Sequence, residues 1–416
     1  MGKRGVSYLL LLVLILQALD PGSCEKPSSF CSRTLSRSTC PANLPTFDQV
    51  DLNKYSGRWY EVSVNAYFKG LQEAGGACVS AFYTPNNDSS IQVFNSQTRV
   101  VGALGSSLVR GISVSAAGVC QGARQICSEI YNGSVSQAIS IIRVVAMNIS
   151  QSYPKESSLL LESESKIDHS LIDIDLALNS LSQSVSQIQV LNSKLGQGQP
   201  KGAVAELSKI AARVNKEVFD STIPSKVESI ASARRKITKV AGELYQNENT
   251  REVSQQLFRA VSLVQSLEES LPGQAATIRA TVAAIAESAA SFAYENNEGV
   301  GGFFSLTGKA VVTSAPGKLS VTFTGIPSPP GQYWILKVAD EGSDNYGAAI
   351  VYGCSEVSGG GTYQPLFFLS RQPNLSSDVN QEFLDYVHSL GIYSDCHEVL
   401  VSSSQPASCQ YPSPQS

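Results

Sequence analysis

Histidine is scarce: His169, His388 and His397 are the three in 416 residues. That leaves little for a metal site or for a Ser–His–Asp relay. No Cys-x-x-Cys and no His-Glu-x-x-His occurs, and no Ser or Cys stands in a recognisable motif with a His. The chain therefore reads as a protein without metal, cofactor or enzymatic machinery. Neither sign of charge dominates: 31 Lys and Arg face 35 Asp and Glu, a formal net charge of -4. Nothing here advertises nucleic acid or an anionic membrane surface, and Arg234-Arg235-Lys236 with Lys239 reads as a solvated helix face. Past the N-terminus no apolar run reaches the roughly 20 residues of a membrane-spanning helix. What is present is ample apolar material, 42% of positions, enough for two or three domains at this length.

The N-terminus sets the compartment. Lys3 and Arg4 precede an apolar run from Tyr8 to Leu19, followed by Asp20-Pro21-Gly22-Ser23-Cys24. This is the charged, apolar and small-residue order of a signal peptide over 1–24. The expected product is secreted and extracellular, with no transmembrane anchor. It keeps eight of the nine cysteines, an even number that suits a disulfide framework. Asn-x-Ser sequons at Asn87, Asn132, Asn148 and Asn374 suit a secreted glycoprotein, although Asn148 falls in a stretch apolar enough to bury it. Cys120 and Cys127 lie seven apart, beyond disulfide reach on an unbroken helix, so pairing them needs a break near Gly122.

Texture changes sharply along the chain. From Cys40 to about Val101, short β-rich runs such as Trp59 to Val64, Cys78 to Tyr83 and Ile91 to Phe94 alternate with turns, Thr84-Pro85-Asn86-Asn87-Asp88 among them. The same texture returns from about Phe303 to Arg371. Between them lie about 200 residues with no tryptophan and four prolines, a stretch whose period is helical. Leu160, Ile167, Ile174, Leu181, Ile188 and Leu195 fall seven apart. So do Leu257, Val264, Leu271, Ile278, Ile285 and Phe292, with Ile223, Ile230, Ile237 and Leu244 between them. Such spacing keeps an apolar seam on one helix face, the coiled-coil pattern. Gly196-Gln197-Gly198-Gln199-Pro200 and Asn247-Glu248-Asn249-Thr250 supply the breaks. With an earlier helix or pair over about 106–150, four long segments in an antiparallel bundle are expected. Glycines at Gly102 and Gly105, and again at Gly299, Gly301 and Gly302, suggest flexible joints.

The flanking halves carry the Gly-x-Trp motif Gly57-Arg58-Trp59, then Tyr333 to Asp340 with Asn345 to Cys354, and then Leu366-Phe367-Phe368-Leu369-Ser370-Arg371. In this order they resemble the signature regions of the lipocalins, of the apolipoprotein D type, over about 40–102 and 303–410. The resemblance implies an α+β multidomain chain: an eight-stranded antiparallel lipocalin β-barrel interrupted, in its third-to-fourth strand loop, by an inserted antiparallel α-helical bundle. The division is 1–24 signal peptide, 25–101 first barrel half, 102–302 bundle, 303–410 second barrel half with its helix, and 411–416 tail. The resemblance makes Gly57, Trp59, Asp340, Tyr346 and Arg371 structural signature residues, with Arg371 stacked on Trp59. It pairs Cys40 with Cys354 and Cys78 with Cys409; Cys31 with Cys396 is then what elimination leaves, and the pairing of Cys31, Cys120, Cys127 and Cys396 stays open. Ala339 stands where the family has Thr, and the acidic loop over 340–344 is longer than usual.

The resemblance also implies a pocket for a small hydrophobic ligand, with Tyr83 as its tyrosine. Strand alternation, counted from an inward Arg371, adds Phe367 and Leu369. Retinoid, fatty acid, steroid, carotenoid and bilin ligands all fit such a pocket. The competing class is an interaction protein in which the helical insert binds a partner or self-associates and the barrel is scaffold.

Overall fold

The computed structural model describes residues 29–35, 39–131, 133–295, 302–326, 329–340, 345–356, 361–393 and 396–414. The expected signal peptide over 1–24, Asn132, residues 341–344, Gly299 and Gly301 lie outside the described residues. Eight antiparallel strands close a barrel: β1 (Gly57–Asn65), β2 (Gly76–Pro85), β3 (Ser90–Arg99), β4 (Gly302–Val312), β5 (Lys318–Phe323), β6 (Gly331–Asp340), β7 (Tyr346–Tyr352) and β10 (Leu366–Ser370). Closure is the β1–β10 ladder, in register at Tyr60–Ser370 and Val64–Phe367. A two-stranded ribbon, β8 (Ser355–Glu356) and β9 (Thr362–Tyr363), leads into β10. A short β11 (Leu400–Ser402) adds to β1 where β2 has diverged. A bulge between Glu61 and Ser63 lets β1 serve both neighbours. The lipocalin-like barrel with a helical insertion is thus the observed architecture.

The insertion leaves at Arg99 and returns at Gly302, residues that pair with each other. It comprises α4 (Ala103–Tyr131), α5 (Ser134–Ile149), α6 (Pro154–Gly196), α7 (Ala203–Val214), α8 (Ile223–Tyr245) and α9 (Arg251–Glu295). Before it come α1 (Phe30–Leu35), α2 (Leu52–Tyr55) and α3 (Ala66–Leu71), and after the barrel comes α10 (Ser377–Ser389). A wider π-helical stretch over Asn215–Thr222 joins α7 to α8. Counting α4 with α5, and α7 with α8, gives four long segments, each packed on the next and the fourth on the first. Every residue of the three heptad rows is buried, from Leu160 through Leu195, Ile223 through Leu244 and Leu257 through Phe292. Burial of that apolar seam, rather than local propensity, is what holds such long helices in water. By length and composition the 103–149 stretch could cross a bilayer; here Val109, Ile112, Val119, Ile126, Ile142 and Val145 pack into the bundle core.

Three expectations need correction. Cys127 pairs with Cys31, not with Cys120, and so Cys31 does not pair with Cys396. The reason is α1, which lays Phe30 and Cys31 into the bundle's core against α4 and α6; Cys120 and Cys396 are themselves buried in that core. Asn148 is exposed, because the helix turns Val145 and Ala146 inward instead. The joint before the bundle is not slack: Val101 is buried, α4 begins at Ala103, and the Ser106 amide donates to the Gly102 carbonyl.

Candidate functional site in the barrel lumen

The barrel has a sealed end and a covered one. At the sealed end Gly57 opens β1 with φ +90°, and an added Cβ would sit 3.3 Å from Arg371 Nη1. Only glycine takes that backbone without strain. Two residues on, Trp59 is fully buried, its indole N–H donating to the Tyr55 carbonyl at 2.8 Å. The Arg371 guanidinium lies 4.0 Å from the Trp59 ring centroid, and Arg371 donates to the carbonyls of Arg58, Lys54 and Tyr346. Burial lowers its pKa from the ordinary value, yet each of its three nitrogens donates a hydrogen bond. Tyr346 is buried beside them, its hydroxyl accepting from the Asp51 amide. Asp340 ends β6, paired with Tyr346 across the ladder.

Above this plug the wall alternates as strands must, Ile91 and Val93 on β3, Ala310 on β4, Leu319 and Val321 on β5, and Ile335 on β6 facing inward. Tyr83 lies in this interior, and so does Leu369; Phe367 is half-buried at its upper edge. Tyr83 does not stand alone. The hydroxyls of Tyr55, Tyr333 and Tyr83 form a chain with both O···O distances 2.8 Å. Burial raises all three phenols, Tyr83 to about 12, so they remain neutral hydrogen-bonding groups. Tyr55 and Tyr333 were not foreseen as site residues: Tyr55 precedes the Gly-x-Trp motif and Tyr333 opens the second signature region, but their meeting depends on barrel closure.

The other end is covered by α3. Phe68 meets Phe367 edge-on with centroids 4.9 Å apart and stacks near Tyr363. The outer side of α3 is pressed on the bundle: a Cβ at Gly70 would lie 1.6 Å from Ser113 Oγ on α4. Arg110 Nε also donates to the Leu71 carbonyl at 3.0 Å. Because β3 runs from the sealed end to Arg99, the insertion rises from the covered end. The bundle therefore sits over the barrel's mouth.

Beside α3 the β1–β2 split holds a buried ionic group. Lys69 Nζ reaches Glu61 at 3.0 Å, Glu73 at 2.7 Å and Ser403 Oγ at 3.3 Å, and Ser403 also donates to Glu61. Burial, with the Glu61 carboxylate beside it, pushes the Glu73 carboxyl up to about 8, against the pull of Lys69. The tail seals this split. Cys78 and Cys409 are disulfide-bonded, and Gln405 bridges the Glu61 and Val79 carbonyls. Cys40 bonds Cys354 at the far side of the barrel.

No protein-family model and no curated protein matches this chain. Among solved structures it is similar to lobster apocrustacyanin A1 and to apocrustacyanin C1. Each is 22% identical over 26% of this chain and 56% of its own length, with a TM-score of 0.21. The chain thus spans little more than half the length of the structures it matches, and likenesses so slight bear on neither ligand nor partner.

Proposed function

We propose that the protein is a secreted carrier that binds one small hydrophobic molecule in the barrel lumen, in contact with Tyr83, Phe367 and Leu369. The observation that carries this reading is the lumen itself: an apolar wall with a chain of neutral phenols at one end and a helix across the other. Binding sites for small apolar molecules have this make-up, apolar lining with a few polar groups that fix orientation. Three disulfides support an oxidising compartment, and the sequon residues Asn87, Asn148 and Asn374 are all exposed for modification. The retinoid, fatty acid, steroid, carotenoid and bilin classes all satisfy the wall. The test is titration with a fluorescent polyene fatty acid, parent against Phe367→Asp. An unpaired carboxylate at this half-buried apolar position costs enough that affinity should fall by at least about tenfold; equal affinity, with both proteins folded, rejects the lumen as the site.

A further inference from the structure

Beyond Ile91 and Val93 the inward row of β3 turns polar: Asn95, Gln97 and Arg99. Their facing follows from the ladders. Asn95 pairs with Ala81, an interior residue, and across the other ladder Asn95, Gln97 and Arg99 pair with Leu306, Phe304 and Gly302. The Arg99 guanidinium carbon lies 4.1 Å from the Phe304 ring centroid. The row ends one residue before Val100 and Val101 pack against the bundle, and Phe304, paired with Gln97, is half exposed, so the row lies at the barrel's rim beside the insertion. Asn95 Oδ1, Gln97 Oε1 and Arg99 Nε are buried without a hydrogen-bond partner. Buried polar atoms are almost always satisfied, and each left alone is costly.

We propose that these three side chains are the specificity site for the ligand's polar end, and that this end is a hydroxyl. The inference rests on the lumen being the binding site. A hydroxyl donates once and can accept from the Arg99 N–H at the same time, so it answers that donor and one of the two amide oxygens. A carboxylate only accepts. It would leave both amide oxygens unanswered, and the Lys69 ammonium is already engaged by Glu61 and Glu73. An ether oxygen leaves the amide oxygens unanswered. The ligand would therefore be an apolar body ending in an alcohol, lying with that alcohol at the rim beside the bundle and its body toward the tyrosine chain.

The experiment is displacement of a bound anilinonaphthalene sulfonate dye by dodecanol, dodecanoate and dodecyl methyl ether, with the full-length protein. Dodecanol should bind about ten- to a hundredfold more tightly than the ether, and more tightly than the acid. In Gln97→Leu and in Asn95→Leu that preference should shrink toward unity, while the ether's affinity holds. Neither variant should unfold, since each removes a partnerless buried polar atom, and a melting curve checks this. Dye bound but alcohol and ether equal, or the acid preferred, overturns the hydroxyl site and leaves the carrier reading standing; those orphaned atoms then belong to water. Failure of the dye and all three probes to bind overturns both.

Discussion

The bundle and the barrel build their cores by opposite means. In the bundle each long segment packs on the next after a connection of a few residues, and the core is aliphatic, built from Leu, Ile, Val and Ala. In the barrel β3 pairs with β4 across the whole insertion, and the core turns on Trp59, Tyr55, Tyr83 and Tyr346. Local contacts form cheaply, whereas distant pairings must first overcome loop-closure entropy. The disulfides are distributed accordingly. The two barrel bridges span sequence separations of 314 and 331, the bundle's bridge 96. The folded bundle brings Arg99 to Gly302, so the barrel depends on the insertion more than the insertion depends on the barrel.

The sharpest test of that asymmetry is Trp59→Ala. Loss of the plug should cost about 3–5 kcal/mol and leave Arg371 over a void. Near-ultraviolet dichroism should report an earlier barrel transition, while the helical far-ultraviolet signal melts where it did. A joint shift of both signals would mean that the two parts unfold as one unit, which breaks the comparison.

The disulfides come next. Replacing Cys40 and Cys354 by Ser should cost about 2–5 kcal/mol, read as a drop in the barrel transition. Replacing Cys31 and Cys127 should instead lower the helical transition, because α1 is part of the bundle core. If the second pair moves the barrel signal, α1 holds the two parts together and the division lies elsewhere.

Smaller again is Gly70→Val. Its added carbon meets Ser113 of α4, and overpacking of this kind costs about 1–3 kcal/mol. The helix across the mouth should lift from the bundle, so stopped-flow dye release should quicken. An unchanged release rate would show that the mouth opens without α3.

Much of this was legible in the chain. Heptad rows mark three of the four bundle segments because a buried helix face has a fixed period, and Gly57-Arg58-Trp59 marks the base because its geometry is local. The signature order also placed Cys40 with Cys354 and Cys78 with Cys409. What escaped is what only closure creates. Ala66–Leu71 shows no helical stretch long enough to read, and α3 exists because it is held between lumen and bundle. Cys31 could be matched to Cys127 only once α1 was seen to enter a core far along the chain. Tyr55, Tyr333 and Tyr83, like Glu61, Lys69 and Glu73, are ordinary residues until distant strands meet. The polar row Asn95, Gln97 and Arg99 alternates as any strand facing solvent would, and nothing in it says that the polar side faces in.

The Glu61–Lys69–Glu73 group offers the finest test, because it lies on the barrel side of the contact with the bundle. Burial and the neighbouring Glu61 hold the Glu73 carboxyl at about 8, against an ordinary value of 4.5. Folding then takes up a proton that the unfolded chain has already released. The associated stability is present in full below the unfolded value and is lost as pH rises toward 8, at no more than about 1.4 kcal/mol per pH unit, the slope for one proton. Lys69, raised from 10.5 chiefly by its two carboxylates against the opposing effect of burial, holds its charge throughout that window and adds no slope there. The melting temperature of the barrel transition should therefore decline from about pH 5 to pH 8, with the bundle's helical signal level over the same range. Glu73→Gln keeps the shape of the protonated acid and should flatten the decline. A parent protein with no slope, or a variant that keeps it, would place both carboxylates in their charged forms around Lys69, and the ionic group would then behave as part of the surface and not of the core.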